Sequence, residues 1–174
     1  MKTFVCMLMC AAALFAGEQT GRRAPGFALP DSKMAVHDLA DYRGKVVILN
    51  FMATNCPLCL QFTDVLNKAK EVYGDKIAIL AVANAKTDNT DTVGRYLVAH
   101  NVKYPVLFDE GQMAYSYFLK LTFDNPSIFI IDGDGMIRND FGYSAFTRNL
   151  FEEKGFFAEI DRVLNARSSM APRK

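Results

Sequence analysis

The chain has 174 residues, 51% hydrophobic, 22% charged and 12% aromatic, the balance of one medium-sized folded domain rather than of a disordered or fibrous chain. Lys and Arg number 20 against 19 Asp and Glu, so there is no basic excess to displace counterions from a nucleic acid, and none is expected as a partner. Eleven Gly and six Pro are too few for a low-complexity linker protein, and four Cys too few for a chain held together mainly by disulfides.

From Phe4 to Ala16 the run FVCMLMCAAALFA has no charged residue, follows Lys2, and gives way to Gly17, Glu18 and Gln19. It is shorter than the ~20 residues a membrane-spanning helix needs but fits the ~7 to 15 residues of a secretory apolar segment. Residues 1–17 are expected to be a signal peptide cleaved near Ala16 or Gly17, and the chain to be exported to the periplasm or another extracytoplasmic space. Leu14 stands where a small residue is usual before cleavage, so a retained N-terminal anchor is the alternative. Loss of Lys2 brings the basic count from 20 to 19 and leaves the mature chain formally neutral. Cys6 and Cys10 leave too, and the remaining Cys56 and Cys59 allow a single pairing.

Lys45 to Phe51 (KVVILNF) is an almost continuous β-branched apolar run, the pattern of a central strand covered on both faces. Apolar residues Leu58, Phe62, Val65, Leu66, Ala69 and Val72 then recur at intervals of three and four, one stripe on a helix of about four turns that starts at the cysteines. Ile77 to Ala83 (IAILAVA) repeats the buried-strand pattern. Asp91 to His100 carries Val93, Tyr96, Leu97 and His100 on one helical face, with Asn101 as a left-handed stop. A short helix is expected near Gln112 to Leu119. Ser127–Ile131 and Ile137–Phe141 flank Asp132, Gly133, Asp134 and Gly135, a turn signal that predicts an antiparallel hairpin. Phe157, Ile160, Val163 and Leu164 mark a closing helix before the polar stretch Arg167–Lys174, expected to fray.

Parallel crossovers first and a hairpin last predict an α/β fold, a three-layer α/β/α sandwich around a central mixed sheet. Residues 18–167 are expected to form one domain, with 168–174 a disordered tail.

Asn55 is positioned to accept the first free N–H groups of the helix, and Pro57 suits its first turn because the N–H it lacks would be unpaired anyway. Cys56 then stands at the positive end of the helix dipole, which favours thiolate, the attacking form. Cys59, three residues on, lies one turn deeper on the same face and can attack the Cys56 sulfur of a mixed disulfide. Three other readings stand beside this one. A zinc or copper site would need His37 and His100 to complete the pair. A structural disulfide would close too small a ring to restrict the unfolded chain much. The histidines themselves read more simply, His100 as a polar residue near a helix C-terminus and His37 as a surface-loop residue.

The run GKVVILNFMATNCPLC, preceded by FALPD and DLADYRGK and followed by NPSIFIIDGDGMI, resembles the thioredoxin-like TlpA and ResA group of exported thiol-disulfide oxidoreductases over about Pro25 to Gly142. The resemblance implies a thioredoxin-like fold, Cys56 as nucleophile, Cys59 as resolving thiol, and Pro126 as a cis proline facing them. It also implies that the backbone of Asn125 pairs with a bound substrate peptide; Asn55 and Pro57, by the capping pattern above, are expected to support the site. The partners implied are exported proteins with disulfides or thiols and a membrane thiol relay that would keep the chain a reductant. No cofactor is expected beyond the redox-active Cys56–Cys59 disulfide, and no metal.

The chain departs from that group at three places. Asn55 and Met52 occupy positions where relatives carry Trp, and Asn50, an amide that cannot titrate, stands where cytoplasmic thioredoxins bury an acid. Asp88 and Asp91 are the candidates by chain position to take a proton instead, with a solvated loop as the plainer reading. An AhpC-type thiol peroxidase is the runner-up function, although Ala53 and Leu49 replace the Thr and Pro of its motif. A non-catalytic module that uses the Cys-Pro surface for binding is a third reading.

Overall fold

The computed structural model describes residues 17, 19–109, 111–119 and 125–170. Strand β3 (Val46–Met52) is buried along its whole length, as is β4 (Ile77–Ala83), which pairs with it in parallel from Val46↔Ile77 to Met52↔Ala83. Both runs are apolar on successive residues because both faces of the sheet are covered. The crossover between them is helix α1 (Pro57–Tyr73). Helix α2 (Thr90–Ala99) leads on to a short parallel strand β5 (Val106–Phe108). Helix α3 (Gln112–Phe118) precedes β6 (Ser127–Ile131), which runs antiparallel to β3 and turns back into β7 (Ile137–Gly142). The five-stranded order is β5-β4-β3-β6-β7, and helix α4 (Glu153–Met170) closes the chain. The expected three-layer mixed-sheet architecture is the one observed.

Alternate residues of β3 divide the core. Val46, Ile48 and Met52 face a cluster built from α1, α2 and α4 that includes Cys59, Phe62, Leu66, Tyr96, Phe156 and Ile160. Val47, Leu49 and Phe51 face a second cluster with Met113 and Tyr117 of α3 and with Phe27, Leu29 and Leu39. That second layer rests partly on a small antiparallel hairpin, β1 (Ala28–Pro30) with β2 (Val36–Asp38), rather than on helix alone. Strand β7 alternates buried and half-buried residues, as expected of an edge strand with one face in the core.

Several expectations are met closely. Ile77–Ala83 and Ser127–Ile131 have the predicted bounds, Asn101 is left-handed at φ 47° after α2, and the Asp132–Gly135 turn joins antiparallel strands. Gly135 takes φ 80° there, a conformation that a side chain would strain.

Four are corrected. Val72, placed in the apolar stripe of α1, is 59% exposed, because the buried face runs through Cys59, Phe62, Thr63, Leu66 and Ala69 and it is Tyr73, not Val72, that packs against the core in the last turn. Helix α4 continues past Arg167 to Met170, since nothing in Ala166–Met170 breaks a helix, so residues 168–170 of the expected tail are helical; residues 171–174 lie outside the described residues. His37 is a strand residue, not part of a loop. Strands β1, β2 and β5, three residues each, have no counterpart in the predicted elements. The signal segment expected over residues 1–17 lies, Gly17 apart, outside the described residues.

Candidate active site

The parallel run of β3 delivers the chain to a tight turn, Ala53 to Cys56, in which the Cys56 N–H donates to the Ala53 carbonyl at 3.2 Å. Cys56 has extended backbone, φ −93° and ψ 112°, and is itself the N-cap of α1, its Sγ accepting from the Cys59 N–H at 3.2 Å. The cap is therefore Cys56 and not Asn55, which is exposed one residue outside the helix. Pro57 at the first helical position explains the shift, since a proline favours that place and leaves the preceding residue as cap. The sulfur thus takes the role that an oxygen usually plays, directly against the unpaired N–H groups of the helix end.

Cys56 is half-buried, whereas Cys59, one turn deeper, is 1% exposed; a disulfide joins them, with Cα atoms 5.2 Å apart. Thr63 donates to the Cys59 carbonyl at 2.9 Å and shares a 2.7 Å hydrogen bond with the Tyr96 hydroxyl, which lies 3.2 Å from that of Tyr104. Burial pushes the Tyr96 and Tyr104 phenols above their ordinary range, so this chain of hydroxyls stays neutral and acts as a brace beneath the second cysteine.

The register Phe51↔Ser127 brings the start of β6 beside the end of β3. There the Asn125–Pro126 peptide is cis, Pro126 is buried, and the Asn125 carbonyl oxygen lies 3.6 Å from Cys56 Sγ. Residues 69 apart in sequence thus meet at the helix mouth. Asn50, 1% exposed, sits between Ile48 and Met52 on the face that carries Cys59, and its Oδ1 has no hydrogen-bond partner among the described residues.

Of the two acids expected by chain position, only Asp88 reaches the site. Its Oδ1 accepts from the Thr54 hydroxyl at 2.6 Å, and both oxygens lie 3.2 Å from the Thr54 N–H. Oδ2 also accepts from the Asn84 N–H at 3.1 Å. Asp88 is half-buried and part of a bonded loop rather than a solvated one, while Asp91 is exposed in the first turn of α2. Thr54 had no signal in sequence, because its partner lies 34 residues away.

The remaining candidates lie elsewhere. His37 pairs with Asp31 at 3.2 Å and with the Tyr42 hydroxyl at 2.5 Å, and His100 caps α2 against the Tyr96 ring at 5.4 Å. Among the described residues no group of three or more His, Cys, Asp or Glu is placed to hold a metal ion. Leu49 faces the core opposite Cys59, and Ala53 is buried without a hydroxyl to offer a peroxide. No helix among the described residues is long and apolar enough to cross a membrane.

The family model described as the AhpC/TSA family matches residues 20–140. The chain belongs to that family. Within it the chain falls in the ResA-like group of thioredoxin-like thiol-disulfide oxidoreductases. It is 30% identical to the thioredoxin-like protein YneN of Bacillus subtilis over 139 residues, 79% of each chain. It is likewise 30% identical to the thiol-disulfide oxidoreductase ResA of Geobacillus thermodenitrificans over 152 residues, 79% of this chain and 83% of that one. A Chlorobium tepidum crystal structure assigned to thiol:disulfide interchange protein DsbE superposes with a TM-score of 0.66 at 29% identity, covering 81% of this chain and 97% of that one.

Proposed function

We propose that the protein is an exported thiol-disulfide oxidoreductase that exchanges disulfides with partner proteins through Cys56 and Cys59 and works as a reductant. The observation that carries this reading is the half-buried Cys56 at the mouth of α1, its Sγ beside the cis Asn125–Pro126 peptide, with Cys59 buried one turn behind.

Starting from the dithiol, the Cys56 thiolate attacks one sulfur of a substrate disulfide, forming a mixed disulfide and expelling the other substrate sulfur as a thiolate that picks up a proton. Cys59, deprotonated, then attacks Cys56 Sγ. The Cys56–Cys59 disulfide forms, the second substrate thiol leaves, and two electrons have passed to the substrate. The backbone of Asn125, next to Pro126 at the start of a strand, holds the substrate as an extended segment by main-chain hydrogen bonds, which demand little of its side chains. Asn55 flanks the cysteine as a polar, exposed rim, and Pro57 sets where the helix starts. No other cofactor takes part; a membrane thiol relay returns the electrons, and residues 1–17 direct the chain out of the cytoplasm.

The test is reduction of a protein disulfide with dithiothreitol as electron source. Cys56→Ser abolishes it, and Cys59→Ser accumulates mixed disulfides with the substrate. Activity unchanged in Cys56→Ser overturns the assignment. A reduction potential measured against glutathione near about −120 mV, the oxidising end of the range for this fold, would reverse the direction.

A further inference from the structure

We propose that Asp88 is a positioning residue for Cys56, acting through Thr54. The inference rests on the reading of Cys56 as the attacking thiol and adds to it a residue that sets how that thiol is presented.

The turn that carries Cys56 leaves β3, and the loop Asn84–Asp88 leaves the neighbouring β4. Asp88 is the bolt between them. Its carboxylate takes the hydroxyl and the N–H of Thr54, two residues before Cys56, together with the N–H of Asn84. The loop holding the bolt is itself closed: the Thr87 and Asp88 N–H groups donate to the Asn84 carbonyl at 3.0 and 2.8 Å, and the Lys86 N–H to the Asn84 side chain at 3.0 Å. Fixing Thr54 fixes the second residue of the Ala53–Cys56 turn, and with it the extended backbone at Cys56 that aims Sγ at the Cys59 N–H. Both carboxylate oxygens face backbone N–H donors, so an amide at this position would set its NH2 against an N–H and lose the bracket. A carboxylate with its oxygens so engaged is an anchor, not the free base that chain position alone suggested.

Two effects of Asp88 on Cys56 have opposite signs, which makes the proposal decidable. Its negative charge, acting through space, opposes the Cys56 thiolate; its hydrogen bonds hold the sulfur where the helix end favours thiolate. If positioning governs, both Asp88→Asn and Thr54→Val shift the Cys56 thiolate absorbance titration to higher pH and slow alkylation by iodoacetamide at neutral pH by about fivefold, as the thiolate fraction falls. Thr54→Ser, which keeps the hydroxyl, restores the wild-type titration, and Asp91→Asn, the same charge change nearby without the bracket, leaves it unmoved. Faster alkylation in Asp88→Asn with no change in Thr54→Val would overturn the proposal in favour of charge alone. Wild-type titrations in both, whatever their melting temperatures, would overturn it in favour of a purely structural role. Should Asp88→Asn fail to fold, the near-isosteric Thr54→Val carries the decision. Alkylation needs no partner protein, so a failure of disulfide exchange would be read separately.

Discussion

The two ends of the central sheet are built for different purposes. At the end away from Cys56, the β6–β7 turn is closed from several directions: Arg23 and Arg43 donate to the Asp134 carbonyl at 3.2 and 2.9 Å, and the Ala24 and Gly44 N–H groups bond Gly135 and Gly133. Buried Asp132 accepts from the N–H groups of Asp134 and Met136 and, at 2.5 Å, from Arg138. At the other end the chain leaves Cys56 half-exposed, Asn55 exposed, and Phe146 in the loop after β7 89% exposed. There the hydrogen bonds brace from behind, through Thr63 and Asp88, and leave the front open. One end closes the fold and the other leaves its cysteine accessible.

Substitutions at the two ends should therefore separate activity from stability. The largest effect is Cys56→Ser, which removes exchange while leaving the chemical unfolding midpoint of the reduced protein close to wild type. Its mirror image is Asp132→Ala, which strands the N–H groups of Asp134 and Met136 and should cost about 2 to 3 kcal/mol in unfolding free energy with little change in exchange rate. A loss of exchange in Asp132→Ala at temperatures where it is folded would break the comparison. Asn89→Ala at the open end should cost only about 1 kcal/mol, because it removes the cap and capping box of one helix.

The smallest effect concerns acid. Burial raises Asp31, but hydrogen bonds from His37 and from the Lys33 and Ala35 N–H groups outweigh it and leave the carboxyl below its ordinary value. A carboxyl lowered by folding contributes stability that is whole above its unfolded value of about 4 and is lost as pH falls through the folded one. Asp31→Asn should flatten that part of the stability profile; an unchanged acid transition would show that the His37 pairing is inconsequential.

Local pattern determined much of this molecule. Continuous apolar runs identified β3 and β4 because a strand covered on both faces needs no polar alternation, and the Cys-Pro-Leu-Cys spacing identified the disulfide pair because three residues span about one helical turn. The cap expected at Asn55 falls instead at Cys56, because the proline that follows takes the first helical position. Strands of three residues left no period to read, so β1, β2 and β5 emerged only in the fold. The approach of Asn125 and Pro126 to Cys56 was accessible through resemblance alone, and the Thr54–Asp88 bracket not at all. Both depend on the register between strands, which is set by packing the whole sheet: neighbours 69 and 34 residues apart become contacts only when every intervening element has found its place.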